Sequence, residues 1–382
     1  PAPLMAGLLY PDDPQPEYVA FSGSAVAVTL QENNGVGIVD LTFPAAPAVT
    51  VFDAGVVASR SADLLDDATI SFTQTYPDDV LAEEPTAGTR IPDAIAWTRD
   101  GQLITANEGE FDYTGGRGWS MFHVSGALLW DDEGALEQMA VRRGQYPDGR
   151  SDAKGIEPEG IATGVFGNRE FAFVTAERAA FVAVYDLGGP RPRFLQLLPT
   201  GLRPEAALAI PSRNLFVTAD EGDDGDGSIS IFEGVTGRWN GTSERPLLES
   251  RSAGEPWSAL SGFAADLHSP MRLYSVPDDA LESDIYQIDI AGTAARISTR
   301  MPVTRNGAQA RYDLEGMAAD TSIAAPERGA GFWLASEGTA ACDAGDYTAN
   351  LLVQVDASLR GDGVVIGWGT VNGRTVFVFA KD

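Results

Sequence analysis

The chain has 382 residues, 44% of them hydrophobic and 21% charged, with 42 Gly and 23 Pro, which is enough apolar material for a large core and enough turn residues for many short strands. Its formal net charge of −29 argues against nucleic acid and anionic membrane as partners, and self-repulsion on that scale favours screening by salt or neutralisation by divalent cations. One cysteine, Cys342, and two histidines, His123 and His268, exclude an intrachain disulfide and argue against a His-rich zinc site, so any metal is expected to be hard and oxygen-ligated.

Helical periodicity is almost absent. In chain order, strand-like runs fall at Ala25–Leu30, Gly37–Leu41, Gln102–Thr105, Phe171–Thr175, Phe181–Leu187, Leu215–Thr218, Ser228–Phe232, Arg272–Val276, Gly331–Ala335 and Leu351–Val355. Most are rich in Val, Ile and Phe, which suit a pleated, buried surface, and turn residues separate them. The tail adds strand-like Val364–Gly369, a turn at Asn372-Gly373 and strand-like Thr375–Ala380, read as the outer strand of a sixth unit and the start of a seventh. The chain opens at Pro1 with neither a start Met nor a signal peptide and stops abruptly after this tail. It therefore reads as a mature or trimmed part of a longer protein. No run of about 18 apolar residues occurs, so no membrane-spanning helix is expected. Asn240-Gly-Thr242 is a formal glycosylation sequon.

Aligning the runs exposes a repeat that opens on an acid and a small apolar stretch: Pro16-Glu17-Tyr-Val-Ala20, Pro92-Asp93-Ala-Ile-Ala96, Pro158-Glu159-Gly-Ile-Ala162, Pro204-Glu205-Ala-Ala-Leu208 and Leu314-Glu315-Gly-Met-Ala318. A degenerate copy is Leu260-Ser261-Gly-Phe-Ala264, and successive openings lie 76, 66, 46, 56 and 54 positions apart. A second strand follows each opening and usually ends in another acid, at Glu32, Glu108, Glu177, Glu221 and Glu337. A third strand ends in Asp40, Asp186, Asp289 or Asp356. Repeats of roughly 40 to 50 residues with about four strands each point to an all-β fold, a β-propeller of six to seven four-stranded blades with seven favoured, formed as a single domain over residues 1–382.

In an up-and-down blade the start of the first strand and the end of the antiparallel second strand share one edge. This places Glu17, Asp93, Glu159, Glu205 and Glu315 at the same mouth as Glu32, Glu108, Glu177, Glu221 and Glu337. Like charges so close raise one another's pKa unless cations lie between them, and hard oxygen donors suit Ca²⁺ or Mg²⁺. The same repeated acids could instead accept backbone N–H groups of the next blade and brace the ring. The acidic loop Asp220–Gly227, with Asp223, Asp224 and Asp226, lacks the spacing of an EF-hand and reads either as an irregular calcium loop or as a hairpin turn. Asp343-Ala-Gly-Asp346 reads as a plain turn.

Four basic residues stand beside the repeated acids: Arg117, Lys154, Arg178 and Arg311. They are candidates to hold an anionic substrate, because a guanidinium grips phosphate bidentately while a cation neutralises its remaining charge; otherwise they steady acidic loops as ion pairs. Glu159 and Glu177, with Arg178, form the best-placed catalytic group.

The motifs Gln31-Glu-Asn-Asn34, Pro92-Asp-Ala-Ile-Ala96 with Thr105-Ala-Asn-Glu-Gly109, and Lys154-Gly-Ile-Glu-Pro-Glu-Gly160 resemble the propeller of secreted bacterial choice-of-anchor I proteins, some of them labelled alkaline phosphatase-like. Tyr312-Asp-Leu-Glu-Gly316, Phe332-Trp-Leu-Ala-Ser-Glu337 and Asn350-Leu-Leu-Val353 resemble the esterase-like activity of phytase domain. The resemblance spans roughly residues 16 to 356 and implies a secreted, periplasmic or cell-surface protein that hydrolyses phosphoesters with Ca²⁺. The chain departs from the pattern at Ala206, where Glu-Gly is usual, and at Ser261, where an acid is usual. Three functions follow as alternatives: a calcium-dependent phosphoesterase acting on a phosphorylated small molecule, a non-catalytic calcium-stabilised surface or matrix propeller that binds partners, and a lactonase-like hydrolase.

Overall fold

The computed structural model describes residues 4–79, 88–109, 115–223, 225–234, 248–251, 254–291, 294–305, 307–320, 331–337, 351–356, 364–371 and 374–380. The chain divides into two compact units: Pro1–Asp66, Ser71–Ala140 and Gln145–Thr242 form the first, and Asp67–Ile70, Val141–Gly144 and Ser243–Asp382 the second.

The first unit is a succession of antiparallel meanders. Its first sheet comprises Pro16–Ser22, Ala25–Leu30, Gly35–Asp40 and Ala48–Asp53; its second comprises Pro92–Trp97, Leu103–Asn107, Gly118–Phe122 and Leu128–Asp131. The third sheet contains Ile161–Phe166, Arg169–Ala176, Phe181–Asp186 and Arg193–Pro199, and the fourth Pro204–Ile210, Leu215–Asp220 and Ser228–Glu233. In each sheet consecutive strands are neighbours, and the first strand of each sheet packs beside the first strand of the next. Sheets stacked in this way are arranged like the blades of a propeller. A blade interior is covered on both faces, and so the second strand of the third sheet, Arg169–Ala176, is buried from Glu170 onward instead of alternating.

Large apolar side chains fill the space between blades. Ala27, Val36 and Ile38 of the first sheet meet Ile95, Leu103 and Phe122 of the second. Phe171, Phe173 and Val184 meet Phe216 of the fourth sheet, with the Phe173 and Phe216 rings stacked at 4.1 Å. Each such side chain contributes about 1.5–3 kcal/mol through burial. Close approach of first strands explains the glycine after the opening acid: a Cβ at Gly160 would collide with the carbonyl of Glu205.

The second unit repeats the design. Leu260–Ala265, Arg272–Pro277, Asp284–Ala291 and Ala294–Pro302 form a meander, with Leu248–Glu249 parallel to its last strand. Leu314–Asp320, Gly331–Ser336, Leu351–Asp356, Val364–Val371 and Arg374–Ala380 form the next. Tyr274, Val276 and Ile285 pack there against Leu314, Phe332 and Leu334.

Two expectations are corrected. The tail strand Arg374–Ala380 pairs with Val364–Val371 as the fifth strand of its sheet, not as the start of another. One α-helix, Ala135–Arg143, was not expected. It has only nine residues, its buried face is Leu136, Glu137, Ala140 and Val141, and Asp132 accepts the Leu136 N–H at 2.9 Å to cap its start. A buried Glu on the inner face removes the apolar stripe by which a helix is read from sequence.

Candidate functional site

The repeated acids are placed by a repeated backbone device. Pairing slips at the opening of five first strands, at Pro16/Val19, Pro92/Ile95, Pro204/Ala206, Leu260/Gly262 and Leu314/Gly316. Such bulges re-aim a side chain at a sheet edge. Two residues before the acid the backbone turns left-handed at Gln15, Ile91, Glu157 and Arg203, and at Ala259 before Ser261, a conformation that costs a non-glycine residue about 1–2 kcal/mol. The residue just after the second strand then donates its N–H back across the edge: Glu177 to Glu157 O at 2.8 Å, Glu221 to Arg203 O at 2.8 Å, Asp278 to Ala259 O at 2.9 Å and Glu337 to Asp313 O at 3.1 Å. At Glu157, Arg203 and Ala259 the left-handed residue is thereby held, and Asp93 meets Glu108, Glu159 meets Glu177, Glu205 meets Glu221 and Glu315 meets Glu337.

In the first unit Asp93, Glu108 and Glu159 each offer an oxygen within 4.8 Å of the others. Glu108 is buried, pairs with Lys154 Nζ, and accepts Gln31 Nε2 at 2.7 Å. Burial, then the charges of Glu108, Glu17 and Glu205, push the Asp93 pKa up to about 7 against the opposing Lys154. Burial and the charges of Glu108, Glu205 and Asp93, with a hydrogen bond to Glu205, hold Glu159 far above the carboxylate range. Tyr18 feels the same field: burial, then Asp93, Glu205 and Glu159, raise its pKa. Lys154 is the cation paired with the Asp93, Glu108 and Glu159 group among the described residues, and it bonds Glu108.

A second row differs in its counterions. Glu157, Glu159 and Glu177 form one close group and Glu177, Glu205 and Glu221 another, and three arginines thread them. Arg150 Nε donates to Glu157 at 2.7 Å, Arg178 Nε lies 3.1 Å from Glu157 and 3.2 Å from Glu177, and Arg203 reaches Glu177 at 2.7 Å and Glu221 at 2.6 Å. At Glu157 burial acts upward, but the bond from Glu177 and the guanidinium groups of Arg150 and Arg178 outweigh it and lower the pKa. At Glu177 burial prevails, aided by Glu157, over Arg203 and Arg178, and the pKa is raised. The upper carboxyl therefore carries the proton shared between the two.

In the second unit Asp313, Glu315 and Glu337 form a close group. Desolvation and then Glu337, Asp313, Asp278 and Asp279 raise the Glu315 pKa; desolvation and then Asp279, Glu337 and Asp278 raise that of Asp313.

The sequence-derived residues divide accordingly. Glu17, Asp93, Glu108, Glu159, Glu177, Glu205 and Glu221, with Lys154 and Arg178, come together in the first unit; Glu315 and Glu337 do so in the second. Arg311, in the second unit, is exposed and, among the described residues, donates to the backbone oxygen of Asp279 at 3.3 Å. Arg117 stands apart from the acids. It is fully buried, donates to the backbone oxygens of Asp63, Ser151 and Ala153 at 3.1, 2.8 and 2.6 Å, and lies 3.6 Å from Glu137. Its donors are taken up by Asp63 and by the loop that carries Lys154, away from the close groups of repeated acids. Glu32 sits on the 3-10 turn Gln31–Asn33, outside the close groups, with its Oε2 buried and unpartnered. Asp223 and Asp226 are exposed and closed into a turn by the Asp226 N–H on Asp223 O at 3.0 Å, outside every close group among the described residues. Asp224 lies outside the described residues. The buried acid of that loop, Asp220, accepts Thr218 and Ser230 hydroxyls at 2.6 Å and Ser228 at 3.0 Å, a bracing role. Ser261 turns its hydroxyl onto Leu314 O.

Sequence reasoning missed Asp278, Arg150, Arg203 and Gln31. Asp278 occupies the second-strand end of the degenerate repeat, and Val276-Pro277-Asp278 was the signal for it.

Residues 10–114 and 110–190 match the family model of the choice-of-anchor I domain, and residues 255–365 match that of the esterase-like activity of phytase. No curated protein matches the chain. Among solved structures, Kuenenia stuttgartiensis hydrazine synthase is 14% identical over 97% of this chain and 96% of that one, with a TM-score of 0.36. The Dos1 propeller is 8% identical over 91% and 70% of the two chains at a TM-score of 0.32, and the WD40 repeats of RRP9 are 10% identical over 95% and 79% at 0.33.

Proposed function

We propose that this chain is a secreted or surface-held propeller whose first unit binds calcium at Asp93, Glu108 and Glu159 and hydrolyses phosphate esters there. The observation that carries the proposal is the close approach of these three carboxylates, within 4.8 Å, with Lys154 the one cation paired to them among the described residues. At neutral pH such a group keeps either a proton or a cation, and an all-oxygen, anionic donor set suits a hard divalent ion. When bound, calcium would offset the charge of a phosphoryl group and acidify a water. The match to the phytase-like model lies in the second unit, over residues 255–365, and supports the reaction class of the chain by analogy, not this particular site.

The protein's own groups supply the rest. Arg178 meets Glu157 and Glu177 through Nε and its side chain is 30% exposed, so its terminal nitrogens could take phosphoryl oxygens. Glu177, gripped by Arg203 and raised in pKa, is poised to hold a proton for the leaving group, and Glu159 exchanges its proton for the cation. Calcium uptake should therefore release protons.

The test compares chelated and calcium-loaded protein on a panel of phosphomonoesters and phosphodiesters. Phosphate release that requires calcium supports the proposal. Absence of hydrolysis by the calcium-loaded wild type would end it in favour of a second reading, a partner-binding propeller stabilised by calcium. The arginine-braced outer acids favour that second reading, because their charges are already balanced within the fold.

A further inference from the structure

At the far ends of the strands that open at Asp93 and Glu159, the first unit carries a cavity of about 500 Å³ lined by Arg99, Arg169, Arg191 and Arg193 with Glu170 and Asp186. Four guanidinium groups at one hollow are unexpected in a chain with 26 Lys+Arg against 55 Asp+Glu. The two carboxylates there are engaged by the cavity's own walls. Asp186 accepts Arg169 and, at 3.0 Å, Arg193, together with the Gly188 N–H at 3.0 Å. Burial opposes its ionisation, but these bonds outweigh burial and lower its pKa, so it fixes both guanidinium groups. Glu170 is buried and accepts the Arg99 backbone N–H at 2.5 Å. The Arg99 side chain lies 3.6 Å from the exposed Asp100 and its charge also acts on Glu170, while Arg191 forms no ion pair with a carboxylate among the described residues. The lining thus holds more positive than negative charge, and the Arg99 and Arg193 side chains are more than half exposed.

An adjoining hollow of about 280 Å³ shares Glu170, Pro190 and Arg191 and adds Met121, Leu129 and Trp130. Its apolar and aromatic wall suits the body of a small organic molecule.

We infer that this arginine cavity binds a tetrahedral oxyanion, phosphate or sulfate, either free or carried as an ester on a small organic body. Guanidinium forks match the oxygen spacing of such groups and hold them through paired charge-assisted bonds. The cavity is separate from the carboxylate mouth and takes ligands of the opposite charge from those of the mouth, so its binding does not depend on calcium.

Calorimetric titration in the presence of chelator tests this with four probes: inorganic phosphate, inorganic sulfate, glucose 6-phosphate and glucose 6-sulfate. Saturable binding should appear in wild type, persist in Glu159→Gln, and weaken about tenfold in Arg191→Gln and more in the Arg191→Gln/Arg193→Gln double variant. Both arginines are exposed, so the fold should survive, as circular dichroism will show. Tighter binding of the glucose esters than of the inorganic ions identifies an ester ligand, and equal binding identifies the free ion. Either supports the oxyanion site. Dissociation constants above about 10 mM for all four probes, or affinities unchanged in the double variant, would overturn it.

Discussion

Asp93→Asn tests whether the mouth is built for a cation. The Asp93 pKa rises from 3.8 to about 7 through burial and the charges of Glu108, Glu17 and Glu205. In the unfolded chain this carboxyl ionises near 3.8, so above that pH the folded state keeps a proton that the unfolded state has lost. Stability therefore falls as pH rises from about 4 to about 7 and stays low beyond. The difference, at about 1.4 kcal/mol per pH unit, amounts to roughly 4 kcal/mol, an upper bound because solvent reaches part of the group. Asparagine keeps the shape and removes the charge, so in chelator at pH 8 the variant should be the more stable protein by about 2–4 kcal/mol. At pH 4 the gain should vanish. Calcium narrows the gap: at a hundredfold excess over its Kd it stabilises wild type by about 2.7 kcal/mol, whereas the variant, one charged donor short, gains less. Calorimetric melting of both proteins at pH 4 and 8, with chelator or calcium, measures all four cases. A variant less stable than wild type in chelator at pH 8, or an equal calcium gain in both, would refute the reasoning.

Glu159→Gln should lower calcium-dependent phosphoesterase activity on the order of 10³-fold, since several kcal/mol of transition-state stabilisation go with the cation; steady-state rates at saturating calcium measure it, and full activity would remove Glu159 from the site. Arg117→Met should cost about 3 kcal/mol or more in denaturant melts, because Glu137 loses a buried countercharge and three carbonyls lose their donor. Asp220→Ala strips the acceptor from three hydroxyls and should destabilise by about 2–4 kcal/mol while leaving the rate of the folded enzyme unchanged. The single-domain reading of residues 1–382 expects one calorimetric transition, and two resolved transitions would assign the two units to separate domains.

Much of the fold was legible because a strand has a period of two and a meander has a fixed sense. Once Pro92-Asp93 was read as the start of one strand and Asn107-Glu108 as the end of its neighbour, antiparallel pairing put both acids at one edge, as the Pro92–Asn107 pairing has it. The same reasoning carried to Glu205 with Glu221 and Glu315 with Glu337. It stopped at Asp278, because the opening of that repeat has Ser261 in place of an acid and the pairing rule had nothing to match. The helix at Ala135–Arg143 escaped for a local reason, the buried Glu137 on its inner face.

The sequence by itself determined which residues reach the edge of each blade, because that depends on alternation and strand direction alone. Tertiary structure decided which of them meet, because the approach of Glu159 to Asp93 and Glu108 crosses from one sheet to the next and depends on how closely the first strands pack. It also decided the counterions. Arg117, in a glycine-rich loop, turned inward to backbone carbonyls, while Arg150 and Arg203, without a motif to mark them, reached Glu157, Glu177 and Glu221. A long flexible cation satisfies carbonyl or carboxylate equally well, and only the packed fold sets which of the two lies within its reach.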